Sequence, residues 1–420
     1  MTRRMLFASE ISESIDATVA AEEVCQRIHE RLSGSRCDMA CVFASISYPV
    51  RWPELIDVIH QRLKPGLLIG CSGSGIIGPG KECEWVPALG IVAASLPDVR
   101  LFPFVVDPDE LELSCPGGFW VDKIGPSPAM EPVFLLFADP HTCDPVRLVQ
   151  ALNSTYPQRP IIGGLVSGGH AAGQNFLFIN RQVHRTGAVG LAMTGDVVMD
   201  AVVSQGCRPV GRPYVVTSAE ENVVVQLGGR QAVAVLHEVL CSLSVEDRQL
   251  AQEGSIFSGL AVNEMRHVFA TGDFLIRHIV GIDPDAGAIA LADHVQIGQT
   301  LQFHIRDAAT SRNELRRRLT QAIARPGQAA PCGALLFSCT GRGKAFYGVA
   351  HQDVKTIQTI GGKELPIGGF FCNGEIGPIG CTNFLHGYTA CLGLFRPRGC
   401  SSRSKSERSF CKTPDVTGDT

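Results

Sequence analysis

LPIGGFFCNGEIG, residues 365–377, is the stretch from which the fold of this chain is read. A short apolar run follows a proline and breaks at Asn373-Gly374. Runs of this length bounded by turn residues suit buried strands. Two earlier stretches have the same form, PGLLIGCSGSG at 65–75 and RPIIGGLVSGG at 159–169. Each follows a segment with helical spacing: WPELIDVIHQRL (52–63), PVRLVQALNSTY (145–156) and the stretch near Asp353–Ile360. Before each of those lies another apolar run, at Ala40–Ser47, VFLLFADPHTC (133–143) and ALLFSCTGRG (334–343). The sequence thus repeats a strand–helix–strand unit ending in a polar-Gly turn. Counted from Pro65, Pro160 and Pro366, the turns fall at Ser72-Gly73, Ser167-Gly168 and Asn373-Gly374. These units predict an α/β protein with mixed β-sheets flanked by helices.

Other segments fill in around the repeat. Residues 16–33 read as a helix, with Val19, Val24, Ile28 and Leu32 near one face and Gly34 at its end. LGIVAASL, QNFLFIN, AVGLAM and VVMDAVVS suit strands, and a hairpin through Arg181–Thr186 is expected to join QNFLFIN to AVGLAM. PYVVTSAEENVVVQLGGRQAVAVLHEVL reads as two strands and a helix. FLIRHIVGID, GAIALAD and QTLQFHIRD read as strands, and ATSRNELRRRLTQAIAR as an amphipathic helix. Its run Arg316-Arg317-Arg318 reads as a solvated face. A length of 420 residues calls for more than one core. The expected division is an N-terminal helix in 1–35, domains at 36–215 and 216–397, and a disordered tail over 398–420 that is rich in Ser, Lys and Arg.

Composition narrows the function. Hydrophobic residues make up 45% and charged residues 19%, a globular balance, and a net charge of -4 argues against nucleic-acid binding. No apolar run approaches the roughly 18 residues of a spanning helix, and the start lacks the apolar core of a secretory signal. The sixteen cysteines include no CxxC pair, so they read as reduced thiols in a cytoplasmic protein, with no zinc site. Gly73-Ser74-Gly75-Ile76-Ile77-Gly78 matches a dinucleotide-binding pattern, but PGKECEWVP after it cannot supply the required helix. Gly75–Lys81 matches a phosphate-loop pattern, but Glu82 stands where a Ser or Thr is needed. The reading therefore calls for no cofactor and no metal.

Candidate site residues sit at strand ends and glycine turns, where α/β proteins gather ligands. Arg208, between Gly206 and Gly211, can present a planar fork to a carboxylate or can brace its own turn. Cys339 ends an apolar strand, and Arg342 beside it can lower a thiol pKa; a packed cysteine is the other reading. Asn373, Gly374 and Glu375 can hold a polar ligand or stitch the turn. An enzyme using Cys339 or Cys372 as nucleophile in acyl transfer is an alternative, and an interaction scaffold is another.

At these segments the chain resembles the FIST family. GFFCNGEIGPIG with NFLHGYTACLGLF resembles the end of the family's second domain, and SQGCRPVGRPYVVTSAEENVVVQL resembles the join between the two domains. IGCSGSGII and IIGGLVSGG resemble glycine turns of the first domain, so the resemblance spans roughly residues 36–396. It implies a two-domain module that senses small ligands, amino acids among them, in a family that is not an established enzyme class and is often joined to signalling outputs. By motif it assigns Gly206, Cys207 and Arg208 to the domain join, Cys339 and Arg342 to a C-x-x-R segment, and Asn373, Gly374 and Glu375 to an NGE turn. No kinase, methyl-accepting or F-box segment accompanies it in this sequence.

Overall fold

The computed structural model of the chain describes residues 4–111, 118–266, 268–325 and 327–398. The expected disordered tail, from residue 399 on, lies outside the described residues.

The repeat is larger than the strand–helix–strand unit, and it closes into a ring. The first unit runs β1 (Leu6–Ser12), α1 (Ala17–Leu32), β2 (Met39–Ser45), α2 (Trp52–Leu63), β3 (Leu67–Gly73), the hairpin β4 (Gly75–Gly78) and β5 (Lys81–Glu84), then β6 (Leu89–Ser95). The second runs β7 (Val99–Val106), α3 (Phe119–Ile124), β8 (Val133–Ala138), α4 (Pro145–Thr155), β9 (Ile161–Leu165), the hairpin β10 (Leu177–Ile179) and β11 (Gln182–His184), then β12 (Ala188–Gly195). The third opens with β13 (Val198–Ser204) and is interrupted by an insert. The insert comprises β14 (Cys207–Glu220), β15 (Val223–Leu227), β16 (Arg230–Gln231), α5 (Ala232–Ser242), α6 (Val245–Gln252), β17 (Ile256–Ala261), β18 (Phe274–Asp283), β19 (Ala288–Leu291) and β20 (Thr300–Arg306). The unit resumes with α7 (Ala308–Ile323), β21 (Gly333–Cys339), α8 (Lys344–Tyr347), α9 (Gln352–Gly361), β22 (Ile367–Cys372), the hairpin β23 (Glu375–Ile379) and β24 (Thr382–His386), and β25 (Ala390–Arg396).

Three six-stranded sheets follow one plan: β1-β6-β2-β3-β10-β11, β7-β12-β8-β9-β23-β24 and β13-β25-β21-β22-β4-β5. In each, the two strands flanking the repeat helix are parallel: β2 with β3, β8 with β9, β21 with β22. The last two strands of each sheet come from another unit's hairpin, so every unit lends a hairpin and borrows one. Register makes Phe43, Phe137 and Phe337 equivalent, and their rings meet at 5.6–6.2 Å on the common axis of the core. The same register aligns Gly70, Gly163 and Gly369. A Cβ at each would lie 1.8, 1.8 and 1.7 Å from the neighbouring strand's carbonyl oxygen, a distance no side chain tolerates.

The register corrects the first turn of the repeat. Ser74-Gly75, not Ser72-Gly73, is equivalent to Ser167-Gly168 and Asn373-Gly374. Pro65 misled the count because the chain takes two further residues to enter β3 than Pro160 and Pro366 need for β9 and β22. Ser74 and Ser167 meet near the axis, their hydroxyls 3.0 Å apart.

Further differences follow from the ring. Residues 1–35 hold α1 but also β1, an edge strand whose short alternating pattern is broken by Glu10. Phe178 pairs with Val183 in a tight hairpin, while AVGLAM pairs elsewhere, with β7 and β8. The insert is its own closed sheet, because β14 pairs with both β20 and β15 around an apolar interior that includes Val216, Val224, Ile289 and Phe303. Its two ends are neighbours, Cys207 lying opposite Arg306.

Candidate interdomain ligand site

Beginning with the residues the sequence singles out, Cys339 ends β21 directly beside Cys372 of β22. The Asn373-Gly374 turn then delivers Glu375 to the start of β23. Glu375 is fully buried. One oxygen accepts from the Thr389 amide at 3.0 Å, and the other, Oε1, has no geometrically sound hydrogen-bond partner among the described residues. Burial pushes its carboxyl up to about 8. Burial, with the Glu375 charge adding to it, pushes the Cys339 thiol up to about 12, and burial carries Cys372 well above its ordinary range. Both thiols stay protonated at neutral pH, so neither is poised as a nucleophile.

The arginines are committed to carboxylates. Arg342 has no exposed side-chain surface and grips Asp353 with two bonds of 2.9 and 3.1 Å. Arg208 bridges Asp307 at 3.1 Å and Asp247, which ties β14 to α6 and to the start of α7. Asn373 and Gly374 stitch the third unit's hairpin to the second unit: the Asn373 amide donates to Leu165 O at 3.1 Å, and the Leu165 amide donates to Gly374 O at 2.7 Å. The structure therefore gathers Cys339, Arg342, Asn373, Gly374 and Glu375 at one end of the third unit. Arg208 stands on the adjoining insert, on the opposite strand face from buried Cys207. Arg306 of β20, which no turn or motif marks out, joins them. It donates to Gly341 O at 2.9 Å, its Nε has no partner among the described residues, and its guanidinium lies 3.8 Å from the Phe346 ring centre.

Among the described residues, the walls of the widest cleft seen include none of these seven. That cleft lies at the far tip of the same hairpin. Its volume is about 670 Å³, and it is bounded by Asn153 of α4 and Gln158 after it, by Asn263, Arg266 and Asp273 of the insert, and by Arg318 and Thr382. A second space of about 250 Å³, reaching Gln205 and Arg325, shares Gly272, Arg318, Ile379 and Gly380 with it. The combined volume suits a small molecule. Both signs of charge are present. Arg266 grips Asp273 through bonds of 2.9 and 2.8 Å, and Arg318 donates to Glu314 at 2.8 Å. Arg316 and Arg317 are solvated as expected, but Arg318 turns inward to the cleft. The spacing Glu314-x-x-x-Arg318 was the available signal, since residues four apart share a helix face.

Pseudo-symmetry explains why the cleft forms here. The first unit's hairpin turn, Pro79-Gly80, also lies over a helix end, at Gln358, Lys363 and Glu364, and leaves a groove of about 450 Å³. Among the described residues, no part of the insert lines that groove; the third unit's is lined by Val262, Asn263, Arg266 and Asp273 of the insert.

Family models match the two halves of this arrangement. The FIST N domain matches residues 38–230 and the FIST C domain residues 232–378. The chain belongs to the FIST family. FIST domains generally bind small ligands in sensory roles. The FIST N match covers most of the first two units and enters the insert, while the FIST C match covers the rest of the insert and the third unit as far as β23. An uncharacterized protein of Mycobacterium tuberculosis strain H37Rv is 36% identical over 388 residues, covering 92% of this chain and 98% of that protein. An uncharacterized protein of Mycobacterium bovis is 37% identical over 383 residues, covering 90% and 96%. Among solved structures, a cyanuric acid hydrolase is similar at a TM-score of 0.33 and 8% identity, covering 93% of this chain and 100% of that one. Among the described residues of this FIST chain, no helix is long and apolar enough to cross a membrane, and no group of three or more His, Cys, Asp or Glu could hold a metal ion.

Proposed function

We propose that this FIST protein is a cytoplasmic small-ligand sensor whose ligand seats between the insert and the three-unit ring. One observation carries the reading: a cleft of about 670 Å³ forms where the insert covers a groove of the ring, with walls from the second unit, the insert and the third unit. A ligand there touches both bodies at once, so its binding energy depends on their relative position, which is what a sensor requires. The paired charges of Arg266, Asp273 and Arg318 suit a ligand carrying both an acid and an amine, which favours an amino acid. Cys339, Arg342, Asn373, Gly374, Glu375 and Arg208 serve this site from behind. They fix the base of the β23–β24 hairpin and the near edge of the insert, and a signalling partner reads the insert's position.

Titration calorimetry of the purified protein against the free amino acids, with native mass spectrometry for a retained ligand, tests the proposal. Thr382→Trp, at an exposed cleft position, fills the space and is expected to abolish binding while leaving the melting temperature unchanged. Undiminished binding by that variant places the ligand elsewhere. No ligand by either method in the wild type returns the chain to a scaffold.

A further inference from the structure

We infer that Arg318 receives the ligand's acid group, and that Glu314 behind it ties that event to the hinge of the insert; the inference rests on the sensor reading above. α7 carries Ser311, Glu314, Arg318 and Gln321 at alternating spacings of three and four, a single stripe along the helix that Arg325, just past its end, continues. One end of the stripe touches the chain crossing into the insert. Glu314 accepts from the Gly206 amide at 2.7 Å and lies 3.3 Å from the Ser204 hydroxyl. Gly206 has φ +68, and a Cβ there would lie 1.9 Å from the Ser311 hydroxyl, so the crossing is laid tightly on the helix. The other end lines the cleft, where Gln321 and Arg325 border the smaller space and Arg318 borders both.

Glu314 therefore has two ties, its Oε2 to the hinge amide and its Oε1 to Arg318 Nε at 2.8 Å. Arg318 in turn donates through Nη2 to the Thr271 carbonyl of the insert at 3.0 Å. Gly272 leaves room for this: a Cβ there would sit 1.7 Å from Nη2. A guanidinium has five N–H donors in a fixed fork. These two bonds leave donors for an acid group in the cleft, with the Nε side held in place by Glu314. An acid group docked on the fork completes a chain of contacts from the hinge amide through Glu314 and Arg318 to ligand and insert, so occupancy stiffens the crossing at 204–207.

The probes are free amino acids, each paired with its carboxamide. Wild type is expected to bind an acid and to bind the matching amide roughly ten- to a hundredfold more weakly, the scale of one charge-assisted bond. Arg318→Gln is expected to erase that preference, with Arg318→Lys retaining part of it. Glu314→Gln acts through Arg318, so its effect is read in exchange. On adding the acid, amide hydrogen exchange at residues 204–207 is expected to slow in wild type but not in Glu314→Gln. Equal binding of acid and amide by wild type overturns the inference and leaves the sensor reading standing. So does an acid preference that survives in Arg318→Gln. Exchange at the hinge that is unaltered by a bound acid overturns the link to Gly206. Failure of wild type to bind any acid or amide overturns the inference and the sensor reading together. Melting curves for each variant separate lost binding from lost folding.

Discussion

Glu375 shows what a buried, half-satisfied group does to this protein. Its carboxyl is held near 8 in the folded chain, against an ordinary value of 4.5. The folded state thus keeps a proton that the unfolded chain has released, and the group's contribution to stability is complete below pH 4.5 and is lost as pH rises to about 8. Glu375→Gln retains the acceptor and removes the charge. It is expected to flatten the fall in melting temperature between pH 5 and 8; an unchanged slope means the carboxylate is compensated in the fold. Arg342 is the opposite case, a charge wholly buried and wholly paired. Arg342→Met leaves Asp353 buried without its cation and is expected to cost about 3–5 kcal/mol in urea unfolding. A loss under about 1 kcal/mol would show that water reaches Asp353. Both residues stood out in the sequence because glycine turns flank them, but their partners did not: Asp353 and Thr389 lie on other elements, and Arg306 arrives from the insert. Pairings of that kind exist only once the ring has closed.

At the level of elements, the three aligned glycines give the sharpest test of the repeat. Gly70→Ala, Gly163→Ala and Gly369→Ala each push a methyl into a carbonyl of β2, β8 or β21. All three are expected to lower stability by more than about 3 kcal/mol or to prevent folding. Gly387→Ala, where nothing lies within 4 Å, is the matched control and is expected to be silent. If one of the three is tolerated, its unit departs from the common plan. The parallel pairs themselves were legible, since apolar run, helical spacing, proline and glycine turn occur together three times. The hairpins were not. Each has alternating residues that suit pairing, but no local feature says that β4 pairs with β22 or β10 with β3. β1 was hidden for a related reason. Its seven residues become a strand only because β6 supplies a partner.

For the molecule as a whole, the boundary that matters is the pair of crossings into the insert. The expected division at residue 215 falls within β14, a single strand from Cys207 to Glu220. Because Cys207 and Arg306 lie side by side, residues 208–305 can be replaced by a short glycine-serine linker. The shortened chain is expected to keep a cooperative thermal transition and to lose ligand binding, as followed by calorimetry. An unfolded product means that contacts the insert makes, such as the packing of Phe257 on Tyr388 of the third unit, are needed by the ring itself. The exchange of hairpins also has a consequence in time. A ribosome releases the first unit long before the third, yet β4 and β5 have no sheet to join until β22 exists, and the borrowed strand of the second unit, β23, comes later still. The nascent chain must therefore carry open strand edges through most of its synthesis. Yield in cells is expected to depend on translation speed and chaperone supply more than the finished protein's stability suggests.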